Sequence, residues 1–283
     1  MKIYWWVIMM FFVTTLSFSF YGAEGGEKKE SSSVVGNYYL KFSSGYAVTS
    51  WENSPITVDQ KYLAPPIFRL DLGGVAEIYE FRYSAGYVRG MGAIISSDQM
   101  LHMNLKIVTL AAGGEIVWPT ASDESKLKDT QYYRGSLGFV GRVTVDLLLA
   151  DIYAEYRQRT LSDTPLIKIE GIETSIGHEY DRFTKLGATF SLLGLKALGE
   201  VTWIKLGNTA ILSKEFSTTL PEDDIFRITL GGGLSIGRIE LLIKYQRLLD
   251  IEDEVAYLYQ STHLSPDYLM SKNTIFVEAV WKF

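Results

Sequence analysis

The stretch NTIFVEAVWKF, residues 273–283, decides the fold of this chain. Every second side chain in it is apolar, whereas a Glu and a Lys fall in the alternate row. The apolar row is Ile275, Val277, Ala279, Trp281 and Phe283, and the alternate row is Thr274, Phe276, Glu278, Val280 and Lys282. A period of two residues is that of a β-strand, whose successive side chains point to opposite faces. The stretch therefore predicts a strand with one apolar face and one mixed face.

The same alternation recurs along the chain and predicts about twelve antiparallel strands. The predicted strands are 37–50, 67–78, 81–95, 101–111, 115–118, 133–145, 148–157, 181–193, 195–206, 226–236, 239–246 and 273–283. Short turns are expected near Tyr79, Ala112, Asp146, Gly194 and Gly237, and a further turn at 96–99. Longer polar segments, such as 161–179 and 207–224, are expected to be connections. The pattern is weakest between residues 67 and 121, so ten strands would also fit it.

The N-terminal segment has the order of an export signal. Lys2 precedes the apolar run 3–13, and residues 14–23 are rich in hydroxyl and small side chains. This order predicts a signal peptide over 1–23, with an uncleaved membrane anchor as the alternative. Residues 24–36, EGGEKKESSSVVG, predict a charged linker, which leaves 37–283 as the β-domain.

Composition narrows the function. The formal net charge is −6, and it becomes −7 once Lys2 is removed with the signal, which disfavours a nucleic-acid partner. There is no cysteine, so a disulfide and a lipid-modified N-terminal cysteine are both excluded. After the signal no stretch approaches 18 consecutive apolar residues, yet 47% of the chain is apolar and it holds 18 Tyr and 14 Phe. Strands that carry apolar residues at alternate positions would accommodate so much apolar surface.

An alternating final strand that ends on Phe283, together with the export signal, resembles the bacterial outer-membrane β-barrel proteins. The resemblance implies an all-β, antiparallel, up-and-down transmembrane barrel in the cell outer membrane, with the linker on the periplasmic side. It also implies contact with outer-membrane lipid and lipopolysaccharide, and recognition of the C-terminal strand by the barrel-assembly machinery. The alternative is a soluble exported β-protein that binds a ligand, in which the apolar faces would point inward.

In a membrane barrel the charged rows point into the lumen, where any solute would pass. The predicted lumen-lining residues are Arg69, Asp71, Glu77, Arg82, Arg134, Arg142, Asp151, Glu155, Arg157, Arg227, Glu240, Lys244 and Glu278, with Lys282 on the same face. They would either pair and fill the interior or line a polar channel. The expected function is a channel or porin-like protein, or a structural surface protein, without covalent chemistry or a cofactor.

One constellation suggests an enzyme instead. His263 lies two residues before Ser265, with Glu278 on the following strand, which resembles outer-membrane lipid A deacylases. That resemblance implies Ser265 as nucleophile, His263 as base and Glu278 as the group that orients the base. Pro266 follows the serine where that family has an Asn, and the alternation turns Glu278 toward the lumen rather than toward lipid.

Metal and nucleotide sites are not indicated by the sequence. The three histidines, His102, His178 and His263, are far apart and have no HxxxH spacing. The acidic runs 222–224 and 250–254 lack the regular oxygen spacing of a calcium loop. No phosphate loop or dinucleotide fingerprint is present.

Overall fold

The computed structural model describes twelve segments of the chain. They are 37–48, 66–76, 78–88, 92–121, 136–161, 164–169, 172–178, 180–207, 209–213, 217–220, 223–249 and 273–283. The predicted signal peptide 1–23 and linker 24–36 lie outside them, as do Glu77, Arg134, His263 and Ser265. Within the described segments no helix is long and apolar enough to cross a membrane.

The described segments contain sixteen strands, numbered in chain order. The first eight are β1 (Asn37–Val48), β2 (Pro66–Ala76), β3 (Tyr79–Val88), β4 (Gly92–Leu105), β5 (Val108–Ala121), β6 (Ser136–Asp146), β7 (Ala150–Leu161) and β8 (Thr164–Ile169). The remaining eight are β9 (Ile172–His178), β10 (Tyr180–Leu192), β11 (Leu195–Leu206), β12 (Thr209–Ser213), β13 (Ser217–Leu220), β14 (Asp223–Ile236), β15 (Ile239–Leu249) and β16 (Asn273–Lys282).

Twelve of these strands form a closed antiparallel barrel. Their order around the ring is β1, β16, β15, β14, β11, β10, β7, β6, β5, β4, β3 and β2, and β2 pairs again with β1. The stretch that opened the sequence analysis closes the ring, since β16 pairs with β1 in a register that places Trp281 opposite Leu40 and Ile275 opposite Tyr46. A closed ring leaves no strand edge unpaired. The predicted fold and the count of twelve strands are confirmed.

Four short strands form a second sheet that the sequence did not predict. Its order is β13, β12, β9 and β8, and β9 pairs with β12 so that Ile176 lies opposite Ile211. The hairpin β8–β9 belongs to the connection from β7 to β10, and the hairpin β12–β13 to the connection from β11 to β14. The expectation that 161–179 and 207–224 are plain connections is therefore wrong.

Five short turns, which connect β2 to β3, β4 to β5, β6 to β7, β10 to β11 and β14 to β15, lie at one end of the barrel, here called the turn end; the opposite end is the loop end. Positive φ angles mark Lys106 (61°), Leu193 (50°), Gly194 (83°) and Gly237 (60°). The turns predicted near Gly194 and Gly237 are confirmed. Those predicted at 96–99 and at 112–114 are wrong, because both runs lie inside the β4–β5 hairpin, whose turn is at Lys106.

The apolar rows point out of the barrel and the charged rows point in. Val277 and Ile243 face each other on β16 and β15 and are 53% and 62% exposed, whereas Glu278 and Glu240 on the alternate rows are buried. Burying charge and exposing aliphatic side chains is the inverse of a water-soluble barrel, and it suits a lipid solvent. The soluble alternative would require the opposite arrangement.

Aromatic side chains cluster near both ends of the outer surface. At the turn end the Tyr38 ring lies 6.3 Å from the rings of both Phe81 and Phe283. Toward the loop end Trp203 and Phe226 stack at 6.3 Å with an interplanar angle of 6°. Aromatic girdles above and below an apolar band are typical of transmembrane barrels.

Candidate functional site: the barrel interior

The inward rows bring together a set of charges, here called the central charged layer. It contains eight cationic and six anionic side chains, contributed by β1, β2, β3, β4, β5, β7, β10, β11, β14, β15 and β16. The members are Lys41, Arg69, Arg82, Arg157, Arg159, Lys185, Arg227 and Lys244 with Asp71, Asp98, Glu115, Glu155, Glu200 and Glu278. Each carboxylate has at least one cationic partner, as burial in a medium of low dielectric constant demands.

Asp71 anchors one side of this layer. It is fully buried, with the Nζ of Lys41 at 2.8 Å from Oδ2 and the Nε of Arg69 at 2.5 Å from Oδ1. The register explains the first contact, since Lys41 and Asp71 are direct partners on β1 and β2. Arg69 also donates from Nη2 to the Oγ of Ser84 at 3.0 Å, which ties β2 to β3.

Arg157 is the centre of the opposite side. Its Nε lies 2.7 Å from Glu155, its Nη1 2.8 Å from Glu115 and its Nη2 3.0 Å from Asp98. Arg159 adds a second cation to Glu115, at 2.9 Å, and Arg82 pairs with Asp98. Three buried carboxylates therefore converge on one guanidinium, whose planar set of five donors can satisfy several acceptors at once.

The remaining pairs are looser. Lys185 lies 3.6 Å from Glu155 and 3.8 Å from Glu200, and Arg227 lies 3.9 Å from Glu200. The hydroxyl of Tyr153 donates to Glu200 at 2.7 Å. Lys244 holds Glu278 at 2.7 Å. Lys185 and Arg227 are thus close enough to Glu200 for electrostatic attraction, whereas Lys244 and Glu278 form a direct ion pair.

A cavity of about 180 Å³ lies among these charges. Its walls combine seven cations, three carboxylates, four neutral polar side chains and two apolar ones. The lining residues are Lys41, Ser43, Arg69, Arg82, Ser96, Glu115, Arg157, Lys185, Leu198, Glu200, Arg227, Thr229, Lys244, Gln246, Phe276 and Glu278. The volume is that of several water molecules, so the polar interior is narrow but not completely filled.

An apolar layer lies between this cavity and the loop end. Inward side chains of β10, β11, β14 and β15 form a buried cluster of Phe183, Ile204, Leu206, Ile225 and Leu248. The guanidinium of Arg159 lies 5.0 Å from the Phe183 ring centroid and joins the two layers by a cation–π contact. The sequence analysis did not predict this layer, because single apolar residues on polar rows give no periodic signal.

The turn end carries separate contacts. Met100, Ala111 and Val140 form a second buried cluster. Arg142 pairs with Glu80. Glu240 is held by two cations, Lys196 and Lys282, each at 2.5 Å. The part of the wall nearest the turns is thus tied together by charge as well as by the ladders.

The predicted lumen residues occupy several places in the structure. Six of them line the cavity: Arg69, Arg82, Arg157, Arg227, Lys244 and Glu278. Asp71 and Glu155 lie in the central charged layer, while Arg142 and Glu240 lie nearer the turn end and Asp151 is exposed there. Glu77 and Arg134 fall outside the described segments.

The prediction omitted six members of the central charged layer. They are Lys41, Asp98, Glu115, Arg159, Lys185 and Glu200. Lys41 alternates with Leu40 and Phe42, so its row could have been assigned from the pattern. Asp98 and Glu115 were hidden by the misplaced turns.

The described residues of the interior provide ion pairs and a polar cavity. Glu278, the third member of the possible hydrolase constellation, points inward to Lys244 and away from the lipid-facing surface. Within the described segments no cluster of three or more His, Cys, Asp or Glu side chains could hold a metal ion.

Comparison with known proteins supports the architecture. The sequence matches no family model and no curated protein. The structure is similar to an outer membrane channel from Pseudomonas putida F1, with a TM-score of 0.57 and 11% identity over 92% of this chain and 100% of that one. It is also similar to the NanC porin (TM-score 0.53, 9% identity, 86% and 100% covered) and to the KdgM porin (TM-score 0.51, 4% identity, 87% and 99% covered).

Likeness at these identities is a likeness of fold. Together with the closed ring and the outward apolar belt, it identifies the architecture as that of the bacterial outer-membrane β-barrels. Barrels of this architecture lie in the cell outer membrane, where their outer surface contacts lipid.

Proposed function

We propose that this protein is a passive channel for small hydrophilic solutes across the outer membrane. The observation that carries the proposal is a charged cavity with the volume of several water molecules, inside a barrel whose outer surface is apolar. A protein that only anchors surface loops needs no polar void at the centre of its barrel. The similar structures add support, since one of them is an outer membrane channel and two are porins.

The channel is a narrow one. Arg157 and its carboxylates extend into the interior, and the buried apolar cluster that includes Phe183 lies between the cavity and the loop end. Twelve strands lie between the small barrels that side chains fill and the wide aqueous porins. Small ions and solutes of a few heavy atoms fit such a passage.

Planar lipid bilayers provide the test. Purified, heat-modifiable protein should produce discrete conductance steps in KCl, and protein unfolded by boiling before reconstitution should produce none. Folded protein that incorporates into the bilayer without any steps would contradict the proposal and favour the second candidate, a structural surface protein whose interior is closed by its ion pairs.

A second proposal concerns how the protein reaches and contacts the outer membrane. We infer that residues 1–23 direct export, that the outward row of β16 is recognised by the barrel-assembly machinery, and that the apolar belt contacts lipopolysaccharide as well as lipid. Phe283→Ala, at the residue directly after β16, should reduce the amount of heat-modifiable protein in outer-membrane fractions, whereas Ala279→Val, on the outward row of β16, should not. Equal amounts of both variants would contradict the role of β16.

A further inference from the structure

We propose that the central cavity is a binding site for a small oxyanion, such as a carboxylate, sulfate or phosphate group, and that the pore therefore prefers anions to cations. The inference about ion preference rests on the proposed channel function. The binding site itself does not, because it can be measured on protein in detergent.

The first argument is the charge of the cavity wall. Seven cationic side chains line it against three carboxylates, and the whole central charged layer still holds eight cations against six carboxylates. The chain as a whole has the opposite sign, with a formal charge of −6. The positive surplus is therefore local to the cavity and is not a consequence of composition.

The second argument is which partner of each pair faces the open space. The Lys41 side chain is 22% exposed while that of its partner Asp71 is 0%, and the values for Arg82 and Asp98 are 29% and 2%. Lys185 is 24% exposed and Glu155 8%. In these three pairs the carboxylate lies against the wall and the cation lies in front of it, so a solute there meets the positive group. The pair of Arg227 and Glu200 is the reverse, at 7% and 13%, and Glu200 itself lines the cavity.

The third argument comes from two buried side chains with unused hydrogen-bonding capacity. The Oγ of Ser43 and the Nε2 of Gln246 are buried and have no hydrogen-bond partner among the residues that the structure describes. Both side chains line the cavity, are less than a tenth exposed, and lie on β1 and β15, the two neighbours of β16. An unpaired buried donor costs roughly 1–3 kcal/mol, and an oxyanion supplies the missing acceptors.

The site chemistry fits an oxyanion better than a halide or a cation. Guanidinium and ammonium groups form their shortest, strongest hydrogen bonds with carboxylate, phosphate and sulfate oxygens. A cation would meet seven like charges at close range, where a narrow lumen of low dielectric constant screens little. Selectivity thus follows from the same groups that bind.

Binding is measured first, on heat-modifiable protein in detergent micelles. Isothermal titration with sodium sulfate at constant ionic strength should give saturable binding, and magnesium chloride should give none. Lys185→Gln should weaken sulfate binding about tenfold or more, which is the usual effect of losing one charge-assisted hydrogen bond. Glu155 and Glu200 keep Arg157 and Arg227 in that variant, so the fold is expected to remain intact.

Two further variants make the test specific. Lys41→Gln should weaken sulfate binding to a similar extent. Asp71 keeps Arg69 as its cationic partner in that variant. Lys196→Gln is the matched control, since Glu240 keeps Lys282 and Lys196 lies outside the cavity lining. Equal weakening in all three would show a general charge effect and overturn the site, as would absence of sulfate binding to the wild type.

Ion preference is measured second, as the reversal potential across a bilayer with a KCl gradient. The wild type should favour chloride over potassium, Lys185→Gln should do so less, and Lys196→Gln should match the wild type. A conducting protein that prefers cations would contradict the inferred anion preference but would still support the channel function. Sulfate binding without any conductance supports the oxyanion site and overturns the channel instead.

Discussion

The guanidinium of Arg157 lies 3.0 Å from the carboxylate of Asp98, although β5 and β6 separate their strands around the ring. The contact crosses the barrel interior. It joins β7 to β4, two strands that share no backbone hydrogen bonds. Because Arg157 also holds Glu115 and Glu155, its removal would leave three buried carboxylates with a weaker set of partners.

Arg157→Met should therefore destabilise the barrel by about 3–5 kcal/mol, the range for breaking a buried ion pair from one side. Urea unfolding in lipid vesicles, followed by tryptophan fluorescence, measures the change. Lys282→Gln is the control, because Lys282 is half exposed at the rim and Glu240 keeps Lys196. A loss below about 1 kcal/mol for Arg157→Met would mean that Arg82, Arg159 and Lys185 neutralise the carboxylates without it.

The lipid-facing assignment makes a second prediction. Ile243→Arg puts a charge in the middle of the outward row of β15 and should cost about 2–4 kcal/mol, the cost of a cation near the bilayer midplane. Leu148→Arg, at a turn where the native side chain is 97% exposed, should change stability little. Both are read from the same unfolding curves. Equal, small effects would place Ile243 in water.

The backbone conformation of the turn between β10 and β11 gives a third prediction. Leu193 has a φ of 50° and Gly194 a φ of 83°, so both turn residues are left-handed, as a two-residue hairpin between twisted strands requires. Leu193→Asn should stabilise by about 1 kcal/mol, since asparagine tolerates this conformation better than leucine. Gly194→Ala should act in the opposite direction, because its new Cβ would also lie 3.0 Å from the Ser235 carbonyl oxygen. The same sign for both variants would contradict the turn geometry.

The apolar layer makes a fourth, about conductance. Phe183→Ala removes the largest side chain of the buried cluster and should raise the single-channel conductance in KCl. The cost in stability, about 3–5 kcal/mol, is the usual cost of such a cavity. Phe226→Ala, on the outer surface against Trp203, should leave conductance unchanged. If Phe183→Ala also conducts as the wild type does, ions do not pass this layer.

Alternation along the chain was sufficient to predict twelve barrel strands and their two faces, although the predicted strands 81–95 and 101–111 each run across a connection between two actual strands. Residues 273–283 show why: a strand that puts Val277 in lipid must put Glu278 inside, so one assigned row fixes the other. The outward sense of the apolar rows was not contained in the pattern. It came from the resemblance of the final strand, and the structure agrees with it.

The turns near Ser96 and Ala112 were misplaced for a physical reason. The run Ser96-Ser97-Asp98-Gln99 consists of residues common in turns, but in the strand Ser96 and Asp98 face the polar interior and Gln99 donates to Ser97 on the other face. The actual turn at Lys106 contains neither Gly nor Pro, so no residue type marks it.

The ion-pair partners could not be predicted from the sequence either. Arg157 and Asp98 are 59 residues apart and meet only because of the strand order and the stagger of twelve strands around the ring. Local periodicity contains no information about stagger. The cavity depends on the same stagger and could therefore not be predicted from the sequence, although six of the predicted lumen residues line it.

The ladder between β9 and β12 joins two hairpins that are distant in sequence. Both extend from the loop end, opposite the short turns, which in this class of barrel is the side that faces the cell's surroundings. An antibody or bacteriophage would therefore meet one composite epitope. Deleting either hairpin should therefore also release the other, because each one supplies the ladder partner of its neighbour.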